Sequence, residues 1–281
     1  MRYCPEIDGL RAIAVVSVIL FHADANWVHG GFTGVDIFFV ISGYLITISI
    51  FNDKGLPTSE RMVRFYERRI KRIIPALSLI VVFTLATGVL VFLPRDLVQL
   101  AQSSIATVLF GSNFWFWSQT GYFAPAAEAM PLLHTWSLAV EEQFYIAFPI
   151  FIIALERFRY RTSTLAVIAI LLGLFVLSLY LSFHRPGVAF YWPTRAWELL
   201  AGALLAHIGL RERPCRNLMS VLGATLLGVS LFSVDSESTF PGYAVLFPVL
   251  ATLALIYSGG GTAVGQVLSS RPLVWTGRFQ T

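Results

Sequence analysis

The chain has 281 residues, of which 56% are hydrophobic and only 13% are charged, and its formal net charge is +4 at pH 7. A typical soluble domain carries about 25% charged residues, so the composition excludes a soluble enzyme, a disordered protein and a disulfide scaffold. Its apolar residues form continuous runs of the roughly 17–25 residues that a membrane-spanning helix needs. Because polar and apolar residues do not alternate in these runs, a transmembrane β-barrel is also disfavoured.

The runs predict an all-α fold, a polytopic bundle of transmembrane helices forming one domain over residues 1–281. In chain order they cover residues 10–23, 34–51, 74–93, 97–118, 136–155, 164–183, 193–210, 217–233 and 243–258. The first run has a second interpretation, because basic residues precede it and Ala23-Asp24-Ala25 follows it. This arrangement is also typical of a cleaved signal peptide.

The positions of the 20 Lys and Arg residues predict the topology, because cytoplasmic loops are enriched in them. If all nine runs cross the membrane, these residues divide 11 to 9 between its two sides. If residues 97–118 instead enter and return to the outer face, they divide 17 to 3. We therefore expect eight crossings plus one re-entrant or surface helix, with a cytoplasmic N-terminus. Cys4 and Cys215 then both lie inside, where thiols stay reduced.

Arg11 and His22 are candidate functional residues in the first run. An ionisable residue costs about 2.5–3.5 kcal/mol at the centre of a membrane helix. The two lie eleven residues apart, about three helical turns, so both project from one helix face. A histidine titrates near neutral pH and can act as a base for a hydroxyl group. The structural alternative is that Arg11 anchors the helix end while His22 lies at the membrane interface.

Asp36 begins the second run, between Gly34 and Gly43, which permit close packing of membrane helices. The carboxylate either complements the helix dipole or orients the imidazole of His22. Both interpretations are open on the sequence alone.

Glu141 lies about one turn into the run at 136–155, next to a second glutamate. A catalytic role is one interpretation, and structural pairing with Arg195 is the other. Arg195 and Glu198 are themselves one turn apart, so they could pair with each other.

A basic segment precedes the third run. On a helix its charges form one stripe with spacings of three and four: Arg61, Arg64, Arg68 and Lys71 or Arg72. Such a stripe suits a polyphosphate or anionic lipid headgroups, and a basic membrane anchor is the plainer interpretation. The chain has no glycine-rich phosphate loop that would indicate an ATPase. Its His and carboxylates lack the spacing of a metal site.

Five motifs in this order resemble the membrane acyltransferase-3 family, bacterial proteins that O-acylate cell-surface polysaccharides and peptidoglycan. They are Asp8-Gly-Leu-Arg11 with His22 after ten residues, Gly34-Val-Asp36-Ile-Phe-Phe, Arg68-Arg69-Ile-Lys-Arg72-Ile-Ile-Pro75, Trp136-Ser-Leu-Ala-Val-Glu141-Glu-Gln-Phe-Tyr145 and Thr194-Arg195-Ala-Trp-Glu198. The resemblance extends from Asp8 to about Gly277, which is nearly the whole chain.

The resemblance implies an integral membrane O-acyltransferase of the bacterial inner membrane. It would move an acyl group, expected to be acetyl, from cytoplasmic acyl-CoA to a hydroxyl of an extracytoplasmic envelope glycan such as lipopolysaccharide. The implied catalytic residues are His22, Arg11, Asp36, Glu141, Tyr122 and Tyr191, and the implied donor-binding residues are Arg68, Arg69 and Arg72. Tyr122 and Tyr191 match tyrosines proposed to relay the acyl group outward. The expected partners are the bilayer and the glycan, with no metal and no nucleic acid.

The chain departs from the family pattern near its end. Family members usually have about ten spans, so we expect the sequence to be incomplete at the C-terminus. A full-length parent could also carry the extracytoplasmic SGNH esterase-like domain of many relatives. The rival function is a proton-coupled transporter or flippase of an envelope precursor. Transporters often contain inverted repeats, and the sequence has no internal repeat.

Overall fold

The computed structural model describes residues 4–23, 27–53, 55–119, 130–155, 160–184, 187–209, 214–235 and 240–278, with no account of the side chains at 155 and 160–162. Within these ranges the regular elements are helices, and no strand is present. The all-α prediction is therefore confirmed.

Twelve α-helices lie within the described ranges. They are α1 (Pro5–His22), α2 (Gly34–Asn52), α3 (Thr58–Val91), α4 (Pro94–Val108), α5 (Ser112–Ser118), α6 (Thr135–Leu155), α7 (Tyr160–His184), α8 (Trp192–Ile208), α9 (Arg216–Ser233), α10 (Leu246–Ser258), α11 (Ala263–Leu268) and α12 (Arg271–Arg278). Proline lies in the first turn of α1, α4 and α8. There its missing N–H costs nothing, because the first-turn amides have no partner within the helix.

The long helices run back and forth between two ends of the bundle. The basic end contains the start of α1, the end of α2 and the basic first half of α3. The opposite end contains His22 at the end of α1, and its ring contacts that of His134, just before α6. From there α6 runs to the basic end, where Tyr66 of α3 donates a hydrogen bond to the carbonyl of Ile146.

Residues 97–118 do not form one crossing helix. A turn at 109–111 separates α4 from α5, and Phe110 in this turn has a φ of 53°. Both pieces contact the start of α6, since the hydroxyls of Thr107 and Thr135 are 3.0 Å apart and Ser112 donates to the Thr135 carbonyl at 2.9 Å. Helix α3 ends and α6 begins at the same end of the bundle, and the re-entrant assignment of residues 97–118 stays a prediction.

Five helical stretches among the described residues are long and apolar enough to cross a membrane. They are Gly31–Asn52, Thr58–Val91, Thr135–Ala154, Ser163–His184 and Arg216–Ser233. The predicted spans at 10–23, 193–210 and 243–258 form α1, α8 and α10, which do not meet this standard. The sequence of α1 contains three charged residues, α8 has 17 residues and α10 has 13. The count of eight crossings therefore stays a prediction.

Helix α2 lies at the centre of the bundle, between two hydrophobic cores. One core is shared with α1, α8, α9 and α10, and the other with α6 and α8. Glycines bring α2 and α8 into backbone contact: a Cβ on Gly43 would lie 1.8 Å from the carbonyl oxygen of Leu199, and one on Gly202 would lie 1.9 Å from that of Val40. The close packing expected at Gly43 is present.

A buried ion cluster joins the same two helices. Arg195 of α8 donates through Nη1 to Asp36 of α2 at 2.7 Å and to Glu198 at 3.0 Å. The three side chains are at most 1% exposed. The guanidinium carbon also lies 4.7 Å from the centre of the Phe240 ring. Neither Asp36 Oδ2 nor Glu198 Oε2 has a donor among the described residues, so one cation holds two buried carboxyl groups.

We expect Arg195→Met to destabilise the protein strongly, because it leaves Asp36 and Glu198 buried without their cation. Removing one partner from a buried ion pair costs about 3–5 kcal/mol. The measurement is the thermal unfolding midpoint of the purified protein in detergent. Arg64→Met is the matched control, since the ion pair of Arg64 with Glu60 is exposed and such a pair contributes about 0–1 kcal/mol.

A triple variant separates charge from packing. Asp36→Asn and Glu198→Gln, added to Arg195→Met, remove both unpaired charges and should recover part of the lost stability. No recovery would mean that the packing of the arginine, rather than its charge, stabilises this contact.

Candidate active site

A large cavity of about 740 Å³ lies between α1, α2, α3 and α6, and we name it the basic cavity. Four cationic side chains line it: Arg11, Arg69, Lys71 and Arg72. One carboxylate, Glu141, lies among them. Cavities lined by one sign of charge concentrate ligands of the opposite sign, so the basic cavity suits a polyanion.

Arg69 and Arg72 reach the basic cavity because they lie one turn apart on the same face of α3. The Arg69 guanidinium carbon lies 4.7 Å from the ring centre of Tyr145 and 5.7 Å from that of Phe65. A guanidinium over an aromatic face is attracted by the ring electrons, and the two rings thus position Arg69. Arg11 lines the cavity from α1 and lies 3.7 Å from Asp8.

The rest of the predicted basic stripe contacts other groups. Arg68 donates to Asp53 at 2.7 Å and to Ser49 at 3.2 Å, and Arg64 pairs with Glu60 on the surface. The position of Arg68 therefore does not support the prediction that it binds the donor. Arg68 does not line the basic cavity, whereas Lys71 and Arg11 do.

Glu141 accepts two hydrogen bonds in the wall of the basic cavity. Ser42 donates to one carboxylate oxygen at 2.7 Å, and the Tyr145 hydroxyl donates to the other at 3.3 Å. Among the described residues, the carboxylate partners of Arg195 are Asp36 and Glu198 rather than Glu141. The hydrogen bonds from α2 and α6 thus fix Glu141 beside the cationic side chains.

A second cavity of about 250 Å³ lies at the opposite end, and we name it the aromatic cavity. Its lining is rich in aromatic rings and includes Phe21, Phe32, Trp136, Phe190 and Phe240. Its polar lining comes from His22, His134, Ser137 and Arg195. An apolar pocket with a few polar groups is the usual form of a small-ligand site, in which the polar groups set the orientation of the ligand.

Two histidines lie where the cavities meet. The ring centres of His22 and His134 are 4.4 Å apart. His134 lines both cavities, whereas His22 lines only the aromatic one. Nδ1 of His22 lies 2.8 Å from the carbonyl oxygen of Val18. Because a carbonyl only accepts, Nδ1 donates the hydrogen bond, and in the neutral ring Nε2 then carries the free lone pair that a base or nucleophile needs.

His134 is a site residue that the sequence patterns do not single out. The available signal is its position two residues before the motif that begins at Trp136. Burial and the neighbouring His22 lower the pKa of His134 below its ordinary value. Since an unperturbed histidine titrates near 6.5, His134 is mainly neutral at pH 7.

Two further predicted catalytic residues, Asp36 and Tyr191, do not line either cavity. The carboxylate of Asp36 accepts a hydrogen bond from Arg195, and Nδ1 of His22 contacts the Val18 carbonyl. A catalytic role of Asp36 stays a prediction. Tyr191 lines neither cavity, and its ring centre lies 5.2 Å from that of Trp117. Tyr122 lies outside the described residues.

Comparison with known proteins identifies the family of the chain. Residues 5–276 match a family model described as an acyltransferase domain. O-acetyltransferase OatA of Staphylococcus aureus strain NCTC 8325 is 38% identical over 99% of this chain and 49% of its own length. YrhL of Bacillus subtilis, provisionally named a peptidoglycan O-acetyltransferase, is 34% identical over 98% of this chain and 46% of its own.

The chain thus spans about half the length of these curated relatives. No solved structure matches it. The family model covers nearly all of the chain, including the cationic residues of the basic cavity and both histidines. The chain therefore belongs to the acyltransferase-3 family of membrane proteins.

Proposed function

We propose that the protein transfers an acetyl group from cytoplasmic acetyl-CoA to a hydroxyl of an envelope glycan on the far side of the membrane. The observation that carries the proposal is the meeting of the basic cavity with the aromatic cavity at His22 and His134. The names of the relatives support acetyl as the group transferred, and one of them supports peptidoglycan as the acceptor.

The basic cavity suits the donor, because CoA carries phosphate groups. Guanidinium groups bind phosphate oxygens through paired, charge-assisted hydrogen bonds, and three of the four cations in the cavity are arginines. A polyanion is excluded from hydrocarbon, whereas an acetyl group is small and neutral. The phosphates would therefore stay at the basic end while the thioester points toward the histidines.

The aromatic cavity suits the acceptor. Its rings provide flat apolar surfaces, and Ser137 provides a polar group beside His22. A sugar hydroxyl in this cavity would lie on the His22 side of the pair. The proposed acceptor is therefore a glycan hydroxyl, with peptidoglycan as the class favoured by the relatives.

His22 has the proton arrangement that the transfer needs. Its free Nε2 can take the proton of the acceptor hydroxyl, whose oxygen then attacks the thioester carbonyl. Alternatively, Nε2 attacks the thioester itself and the acyl group then passes to the hydroxyl. Both routes form the ester C–O bond and break the thioester C–S bond, and both need the same nitrogen of His22.

We expect the double variant Arg69→Ala with Arg72→Ala to weaken acetyl-CoA binding at least tenfold. Each lost hydrogen bond to a charged group contributes about 1.5–3 kcal/mol. Equilibrium binding of acetyl-CoA to protein in liposomes measures the effect without requiring turnover. Arg64→Ala on the same helix is the control and should leave the affinity unchanged. Equal affinity of the double variant and the wild type would contradict the donor assignment.

We expect His22→Gln to reduce acetyl transfer about 100-fold or more, which is the usual contribution of a general base. Proteoliposomes would receive acetyl-CoA labelled in the acetyl group, with soluble peptidoglycan fragments as acceptors, and ester-bound label would be counted. His184→Gln is the matched control, because His184 also contacts a carbonyl four residues earlier but lines neither cavity. A wild-type protein that binds acetyl-CoA and transfers no label would contradict the proposal.

The orientation of the bundle is also testable with a native residue. Cys215 is exposed and precedes α9 at the basic end, where Tyr257 donates to the Pro214 carbonyl. In a Cys4→Ser background, a membrane-impermeant maleimide should label Cys215 in inside-out vesicles and not in intact cells. Labelling in intact cells would put the basic cavity on the outer face and contradict a cytoplasmic donor.

A further inference from the structure

We infer that His134 is a second catalytic residue, the member of the histidine pair that returns a proton to the departing thiolate of CoA. The inference rests on the proposed function and deepens it. It gives the two imidazoles separate tasks, with His22 acting on the acceptor hydroxyl and His134 acting on the donor sulfur.

The first argument is the position of His134. Its ring lines the basic cavity together with Arg69 and Arg72, and it also lines the aromatic cavity together with His22. It is the only histidine among the described residues that lines both cavities. A thioester whose phosphates bind the arginines therefore approaches the pair from the side of His134.

The second argument is the freedom of its nitrogens. Nδ1 of His22 is engaged by the Val18 carbonyl. His134 has a ring contact with His22, and none of the described residues forms a hydrogen bond with either nitrogen of its ring. An imidazole with two available nitrogens can receive a proton at one of them and release a proton from the other. The lowered pKa of His134 also favours release, because it makes the protonated ring a better acid.

The third argument is the balance of the reaction. The acceptor hydroxyl loses a proton as its oxygen forms the new C–O bond, and the sulfur receives the electron pair of the broken C–S bond. In the route with His22 as base, Nε2 of His22 takes the hydroxyl proton in the aromatic cavity. The proton passes to His134 across the ring contact, directly or through one water molecule, and then to sulfur in the basic cavity. No oxidant, metal or further reactant is needed.

The other polar groups in the basic cavity are poorly suited to this step. Arginine and lysine hold their protons at neutral pH, so they make weak acids for a thiolate. The two carboxylate oxygens of Glu141 are occupied by Ser42 and Tyr145. His134 remains as the cavity group that can both take up and release a proton near pH 7.

We expect His134→Gln to lower kcat for acetyl transfer about 100-fold or more, the usual contribution of a proton-transferring group. The Kd for acetyl-CoA should stay within about threefold of the wild-type value, because the cationic side chains are intact. His184→Gln is again the control and should keep full activity. The unfolding midpoint of each variant checks the fold, and His134→Asn provides a second substitution should the glutamine variant lose it.

A change of leaving group separates proton donation from positioning. S-ethyl and S-phenyl thioacetate are matched donors, and the phenyl thiolate leaves with less need of a proton because its thiol is more acidic. The defect of His134→Gln should therefore shrink at least tenfold with the phenyl donor. A large defect of His22→Gln should persist with the phenyl donor, because the acceptor hydroxyl still needs its base.

The outcomes are distinguishable. Wild-type activity in both His134 variants, or an equal defect with the two donors, would overturn proton donation by His134 and leave the proposed function standing. A weaker Kd with unchanged kcat would make His134 a donor-binding residue and would also overturn the inference. Absence of transfer by the wild-type protein would contradict the proposed function and, with it, the role of His134.

Discussion

The contact of one guanidinium with two carboxyl groups is the interaction on which the arrangement of the bundle depends. Arg195 joins α8 to Asp36 of α2, and α2 in turn supplies Ser42 to Glu141 in the basic cavity. Helix α2 also separates the two hydrophobic cores. A shift of this one helix would therefore alter both cavities together, although Arg195 lines only the aromatic one.

Burial explains why such a cluster is stable in an apolar chain. A lone charge facing lipid is expensive, and here the three charged groups are enclosed on all sides by protein. Helices α1 and α8 contribute Arg11, Arg195 and Glu198 to the interior and fall short of the composition or length of an ordinary membrane span. Helices α2 and α6 contribute one buried acid each to the contacts described above, Asp36 and Glu141, and still meet both criteria. The more apolar helices α3 and α7 expose most of their apolar surface, which is the surface that lipid would cover.

The sequence predicts the helical class and most helix positions, because long apolar runs have few alternative structures in a bilayer. It also selects His22, Arg11, Glu141, Arg69 and Arg72, which line the two cavities in the structure, while their catalytic and donor-binding roles stay predictions. They can be selected because an ionisable residue within or beside an apolar run needs a specific environment. The break at Phe110 is different, since Gly111-Ser112-Asn113 is a local turn signal, but the distribution of basic residues is what predicts that residues 97–118 return.

The sequence is a weaker guide to which charged groups meet. The spacing of the basic segment places Arg68 on a stripe with its neighbours, but the end of α2 supplies Asp53 to it. Asp36 pairs with a residue 159 positions later in the chain, a contact that no local pattern encodes. His134 is not among the predicted site residues for the same reason. Its contact with His22 depends on how α1 packs beside the start of α6, and the neighbouring residues in the sequence do not encode that contact.

The course of the segment between α3 and α6 affects the direction of every later helix. A segment that returns to its starting face leaves the later helices running opposite to the direction they would have after a segment that crosses. If residues 97–118 crossed as one helix, the start of α6 would emerge on the opposite face, and His134 would be a membrane thickness away from His22. The turn at Phe110 divides this segment into α4 and α5, and both pieces contact Thr135, the neighbour of His134 in the sequence.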